Sequence, residues 1–145
     1  MPRRKRKPKE PYRSLYEEDI ANELKRLGAP FKYEAYSYEY EEPLRRNRSQ
    51  CGECGSKNLV RYGWYTPDFF VGDNRIIEAK GKFTAADRSK IKAVIATVPE
   101  LSERLVLMFM RDNKLNRRAQ QRYSDWAEAN GIDYVVGTTP KEEWL

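Results

Sequence analysis

Histidine is absent from the 145 residues. With it go imidazole acid–base catalysis, imidazole nucleophiles and imidazole metal ligation, so any chemistry must rest on carboxylates, Lys, Tyr, Ser/Thr or Cys. Cysteine occurs twice, too few for one chain to build a four-thiolate zinc site. No apolar run approaches the ~20 residues of a membrane span, and the N-terminus lacks the apolar stretch of a signal peptide. The expectation is a cytoplasmic protein with no membrane partner.

What is present is a polar chain, 39% hydrophobic and 34% charged, of a length that suits one domain with a proper core. The net charge of +6 is unevenly placed. Arg3, Arg4, Lys5, Arg6, Lys7 and Lys9 carry six positive charges, and the remaining 22 basic residues balance the 22 acidic ones. Residues 1–11 therefore read as a disordered basic arm, and 12–145 as a neutral folded body. Such an arm suits nucleic-acid phosphates, with affinity that falls as salt rises; a solubilising tail or a localisation-like signal is the plainer reading. Arg45, Arg46 and Arg48 form a second basic cluster, read either as phosphate contacts or as a solvated loop.

The stretch Tyr65 to Gly81 predicts a β-hairpin. Two runs rich in aromatic and β-branched residues flank Gly72-Asp73-Asn74, residues that tolerate the positive φ of tight loops. With a three-residue loop, Val71 pairs with Arg75, Phe69 with Ile77, and Asp68 lies opposite Glu78. Opposed residues share a face, and so do Glu78 and Lys80, two apart. A two- or four-residue loop would separate the carboxylates. Two like charges set together need something positive between them, either Lys80 or a divalent cation. Hard oxygen ligands suit Mg²⁺ or Mn²⁺, and this donor set is the one phosphodiester hydrolysis uses, with a lysine orienting or helping to deprotonate the attacking water. The alternative is an ordinary hairpin with Glu78 and Lys80 solvated.

Around the hairpin, a helix starts at Ser14-Leu15 and stops at Gly28, with Glu17 placed to close a capping box on Ser14. Phe31–Tyr40 reads as one strand with a bulge or bend near Ala35. Its tyrosines could stack on unpaired bases, although a sheet face or subunit contact is the plainer use. Leu59–Tyr65 forms a short strand, and Thr84-Ala85-Ala86-Asp87 caps a second helix that Pro99 closes. Leu105–Met110 is apolar throughout, as a strand buried on both faces is. A third basic cluster, Arg111, Lys114, Arg117, Arg118 and Arg122, leads into a helix near Ser124–Asn130. A strand at 132–136 and a short helix with Pro140 at N1 end the chain.

Cys51-Gly52-Glu53-Cys54-Gly55 resembles one knuckle of a zinc ribbon. Two chains together could share one structural Zn²⁺ at a dimer axis; a redox dithiol or two inert thiols are the alternatives.

The order of elements, with Pro67-Asp68 followed by Glu78-Ala79-Lys80, resembles the PD-(D/E)xK restriction-endonuclease-like superfamily, an α/β fold with a central mixed β-sheet flanked by helices. Tyr12-Arg13-Ser14 with Glu17, Tyr65-Thr66-Pro67-Asp68-Phe69, Glu78-Ala79-Lys80-Gly81, and Gly131-Ile132 through Pro140 and Glu143-Trp144 are similar to the phage endonuclease I family. That resemblance implies Glu17, Asp68, Glu78 and Lys80 as catalytic residues. It implies Mg²⁺ held by Asp68 and Glu78 with Glu17, and a homodimer that exchanges segments. It also implies action on four-way (Holliday) and branched DNA in a host cell's cytoplasm. Each site would then take Glu17 from one subunit and the other three residues from its partner. A C-x-x-C insertion at about 48–60 departs from the family where its subunits cross. The alternatives are a sequence-specific or RNA-directed nuclease of the same fold, or a DNA-binding module that does not cut.

Overall fold

A computed structural model describes residues 8–43 and 60–145 of the chain. Arg3, Arg4, Lys5, Arg6, Lys7, Arg45, Arg46, Arg48, Cys51 and Cys54 lie outside the described residues, so the readings placed on them are not addressed by this structure.

Helix α1 (Leu15–Arg26) begins where Ser14 accepts a hydrogen bond from the Glu17 N–H, and it gives way to Gly28 at φ 69°. Tyr16, Ile20, Ala21 and Leu24 form its buried stripe. Five strands make the main sheet: β1 (Phe31–Tyr33), β4 (Phe69–Val71), β5 (Arg75–Lys80), β6 (Leu105–Phe109) and β7 (Tyr134–Val136). They lie in the order β1-β4-β5-β6-β7. β1–β4 and β4–β5 are antiparallel, whereas β5–β6 and β6–β7 are parallel, which makes the sheet mixed. Parallel neighbours need crossovers. Helices α2 (Ala85–Thr97) and α3 (Pro99–Arg104) supply the first, and α4 (Tyr123–Ala129) the second.

Helices therefore cover both faces. Strand β6, all five residues buried, alternates between two cores. Leu105, Leu107 and Phe109 face the core shared with α2, α3 and α4, while Val106 and Met108 face α1 and Trp144. Each fully buried Ile or Leu here is worth roughly 1.5–3 kcal/mol, so the middle of the sheet carries much of the core's stabilisation. Among the described residues, no helix is long and apolar enough to cross a membrane.

The predicted hairpin forms with the expected register, Val71 opposite Arg75 and Phe69 opposite Ile77. Thr84 and Asp87 close a reciprocal capping box on α2. Three local expectations are corrected. Phe31–Tyr40 is not one bulged strand. Glu34 sits at φ 45°, ending β1, and the chain re-enters a separate two-stranded ribbon of β2 (Tyr38–Pro43) and β3 (Val60–Tyr65). A non-glycine residue in the left-handed region does not continue a strand, so the two alternation phases belong to two sheets. Pro99 closes α2 and also opens α3, where its missing N–H costs nothing. The last helix is a single 3₁₀ turn, Glu142–Trp144, starting after Pro140. Trp144 decides its place, being fully buried against the α1 side and donating its indole N–H to Asp133 at 2.8 Å.

Candidate active site

The sequence Thr66-Pro67-Asp68 turns the chain from ribbon to sheet, so Asp68 stands just outside the β4 ladder. Its carboxylate takes over the next rung: Oδ2 accepts the Ala79 N–H of β5 at 2.8 Å. Its backbone carbonyl accepts the Glu34 N–H, also at 2.8 Å. Asp68 is thereby fixed from two sides, with only 7% of its surface exposed.

Glu78 on β5 projects from the same face, 6% exposed. Its Oε2 accepts the Tyr65 hydroxyl at 2.7 Å, and its Oε1 lies 3.1 Å from Lys80 Nζ. Lys80 also reaches Asp87 Oδ1 at 3.6 Å. Asp87 thus does two things, capping α2 and anchoring the lysine. Lys90 of α2 stands 5.5 Å over the Tyr65 ring, backing the hydroxyl that holds Glu78.

Glu17 arrives from α1. Its Oε2 accepts the Tyr33 hydroxyl at 2.6 Å and the Arg13 N–H at 3.1 Å. The expected capping box is therefore half made. Ser14 caps the Glu17 N–H, while the Glu17 carboxylate turns to Arg13 and Tyr33 rather than to the Ser14 N–H. One cavity of about 270 Å³ takes in Glu17, Asp68, Glu78 and Lys80 together. A single chain brings all four predicted residues to it. Lys9 lies exposed near the foot of α1, its backbone N–H donated to Glu18.

Electrostatics decide what the cavity wants. Five carboxylates line it (Glu17, Glu34, Asp68, Glu78 and Asp87) against three cations (Arg13, Lys80 and Lys90), and Arg13 is already paired with Glu34 at 3.0 Å. Burial, with the neighbouring Glu78 charge, pushes the Asp68 carboxyl up to about 8. Burial raises Glu78 as well, despite Lys80 and the Tyr65 hydroxyl. Burial alone would pull the Lys80 ammonium down. Glu78, Asp87 and Asp68 outweigh it, and the net movement is upward. The lysine is a cation here and two acids crowd beside it.

Two buried carboxylates uneasy with their own charge are a donor set that fits a hard divalent cation, whose remaining positions water and phosphate fill. Among the described residues, no three acidic or thiol side chains come together as a ready-made metal cage. Asp68 and Glu78 are thus the residues that would hold such an ion, with Glu17 at the cavity wall.

Tyr65, Tyr33, Asp87 and Lys90 escaped the sequence reading. Asp87 had a sufficient explanation as a cap, and Tyr33 and Tyr65 read as strand aromatics. Only the folded spacing shows their polar ends aimed at one place.

Residues 58–145 match the family Phage endonuclease I, a span that holds Asp68, Glu78 and Lys80. The chain is 27% identical over 134 residues to Endonuclease I of Escherichia phage T7, covering 92% of this chain and 78% of that protein. It is 31% identical over 129 residues to Endodeoxyribonuclease 1 of Enterobacteria phage T3, covering 89% and 74%.

Proposed function

The chain belongs to the phage endonuclease I family, and on that premise we propose that it is a metal-dependent, structure-selective DNA endonuclease acting on four-way (Holliday) junctions and related branched DNA. The observation that carries the reading is the convergence of Asp68, Glu78 and Lys80 in one cavity, with Glu17 on its wall.

Asp68 and Glu78 are the residues that would hold Mg²⁺ or Mn²⁺. Bound there, the ion supplies charge stabilisation at the phosphate and a more acidic water. The chain's own groups prepare that event. The Ala79 N–H holds one oxygen of Asp68 and Tyr65 holds one of Glu78, so neither carboxylate swings. Lys80, kept charged by Glu78 and Asp87, faces the space a scissile phosphate would fill. It orients the attacking water and stabilises charge on the phosphate oxygens, and its raised basicity makes it a poor base for the resting enzyme. Glu17, held by Tyr33, completes the acidic wall as ligand or orienter.

The protein acts as a homodimer, and the basic arm with Arg45, Arg46 and Arg48 grips phosphates outside the site. Exchange of segments between copies would rebuild the same cavity with Glu17 from the partner. Cys51 and Cys54 of two chains would together supply four thiolates for one Zn²⁺. Metal analysis of the purified dimer tests this, and zinc-free dimer overturns it.

The primary test incubates the protein with end-labelled four-way junction and matched linear duplex, with and without Mg²⁺. Paired nicks about the branch, dependent on Mg²⁺ and scarce on duplex, are the expected result. Equal cutting of both DNAs removes the structure selectivity, and binding without cutting removes the enzyme. Segment exchange has its own test. Glu17→Gln and Lys80→Ala, each inactive alone, would regain nicking when co-expressed, because an exchanged heterodimer contains one wholly intact site. No recovery means that each chain completes its own site.

A further inference from the structure

Next to the catalytic cavity lies a second, larger one of about 590 Å³, well within the ~300–1,000 Å³ of small-ligand pockets. Phe70 of β4, Tyr38 at the start of β2 and Tyr36 of the 34–37 link form its aromatic surface. The Tyr38 and Phe70 rings lie 25° from parallel with centroids 6.5 Å apart, and Tyr36 stands edge-on to Phe70 at 5.3 Å and 85°. Tyr36 is 54% exposed, although a tyrosine serving the core would be covered.

The two cavities share a wall. Ser37 lines the aromatic one and Thr66 the catalytic one, and their hydroxyls are 2.6 Å apart. Phe70 is two residues from Asp68 along the chain, so the two side chains leave the same side of the sheet roughly 7 Å apart. A strand with its phosphate at Asp68 and Glu78 would place a neighbouring nucleotide over the aromatic cleft.

The charges at the cleft select the ligand. Lys32 and Arg104 face Asp73 and Glu100 there, so the balance is neutral. A phosphate would call for an excess of cations and an aliphatic chain for none of these groups. A flat ring with donors and acceptors on its edge matches stacking surfaces framed by opposed charges. Lys32 Nζ lies 5.7 Å from the Tyr36 ring centroid, close enough to meet the backbone phosphate of a base stacked on that tyrosine.

We propose that this cleft receives a nucleobase left unpaired or extruded beside the branch point, from the same strand that is cut at Asp68 and Glu78. The inference rests on the nuclease reading and deepens it. A stacked base would set the position of the cut relative to the branch. Extrusion is least costly where pairing is already broken, so the cleft would contribute to the preference for branched over continuous duplex.

An abasic scan tests it. Four-way junctions each lacking one base within three nucleotides of the cut are cleaved in Mg²⁺ under single-turnover conditions by wild type, Tyr36→Ala and Tyr36→Phe. For wild type, one position should show a loss of about tenfold on base removal. Tyr36→Ala should show a similar loss on the intact junction and no further loss on that abasic one, while Tyr36→Phe, which keeps the stacking ring, should behave as wild type. A flat scan with normal cutting, or losses that simply multiply, overturns the cleft's role and leaves the nuclease reading standing. Failure of wild type to cut any DNA removes the nuclease reading and this inference with it. A lower sedimenting mass for Tyr36→Ala would identify the aromatic face as a subunit contact and likewise overturn the proposal.

Discussion

Two antiparallel ribbons in this molecule make opposite uses of the same geometry. The β4–β5 hairpin is closed by three residues, and it is buried along almost its whole length. The β2–β3 ribbon pairs over six residues, yet Val60, Tyr62 and Trp64 lie exposed at 44%, 62% and 66%. The first holds two buried carboxylates side by side, whereas on the second Glu39 and Glu41 lie exposed and Glu42 pairs with Arg61 at 2.5 Å. A buried acid persists only where packed neighbours both exclude water and supply it with hydrogen-bond or charge partners. The packed sheet on both sides of β5 meets that condition, and a two-stranded ribbon standing outside it does not. The buried carboxylates sit on the first hairpin for that reason, and the second is held to the body chiefly through Tyr40 and Tyr65 beneath Lys90.

The largest effects should come from breaking the buried hairpin's polar set. Asp68→Ala or Lys80→Ala should lower junction cleavage by ~10³-fold or more while junction binding stays within a few fold. Parallel loss of both would mean that these residues only hold the fold.

Next in size is a pH effect on stability without metal. The Asp68 carboxyl is raised to about 8 by burial and by Glu78, so the folded state binds its proton more tightly than the unfolded chain does. The stabilisation is present in full below about pH 4 and is lost as pH rises through about 8. Denaturation in a chelator should show stability falling across that window by up to about 6 kcal/mol. Asp68→Asn should flatten the slope. Added Mg²⁺ should restore stability at high pH for the wild type and do little for Asp68→Asn.

The ribbon should answer to packing rather than to charge. Gly63 lies across from Tyr40, and a Cβ there would meet the tyrosine ring at 2.8 Å. Gly63→Val should cost about 1–3 kcal/mol, measured by urea unfolding, with no change in its pH slope. The smallest effect is expected at Trp64. Trp64→Ser should shift stability by less than ~0.5 kcal/mol, since the side chain is mostly in water. A larger loss at high protein concentration than in dilute protein would reveal a subunit contact on that face.

Legibility in the sequence followed how local the cause was. The hairpin register, the cap of α2 and the buried run of β6 through Phe109 depend on a few neighbouring residues, and they formed as read, whereas the α1 box formed only its Ser14 half. The break at Glu34 carries no glycine or proline to announce it. It exists because β1 pairs with β4 while β2 leaves to pair with β3, choices made by partners some thirty residues away. The same holds within the site. Asp68, Glu78 and Lys80 were readable because the period of a strand places them together. Tyr65, Lys90 and, through its bond to Glu17, Tyr33 were not, because each comes from a different element.

By itself the sequence determined the Asp68–Glu78 hairpin, the alternation of helix and strand, and the chemistry open to a chain without histidine. These follow from side-chain periodicity and loop length, which act over a handful of residues. The tertiary structure alone decided how deeply Asp68 and Glu78 are buried, which hydroxyls hold Glu78 and Glu17, and where the aromatic cleft lies beside them. Those outcomes depend on how distant surfaces exclude water, and exclusion of water is a property of the packed molecule rather than of any segment.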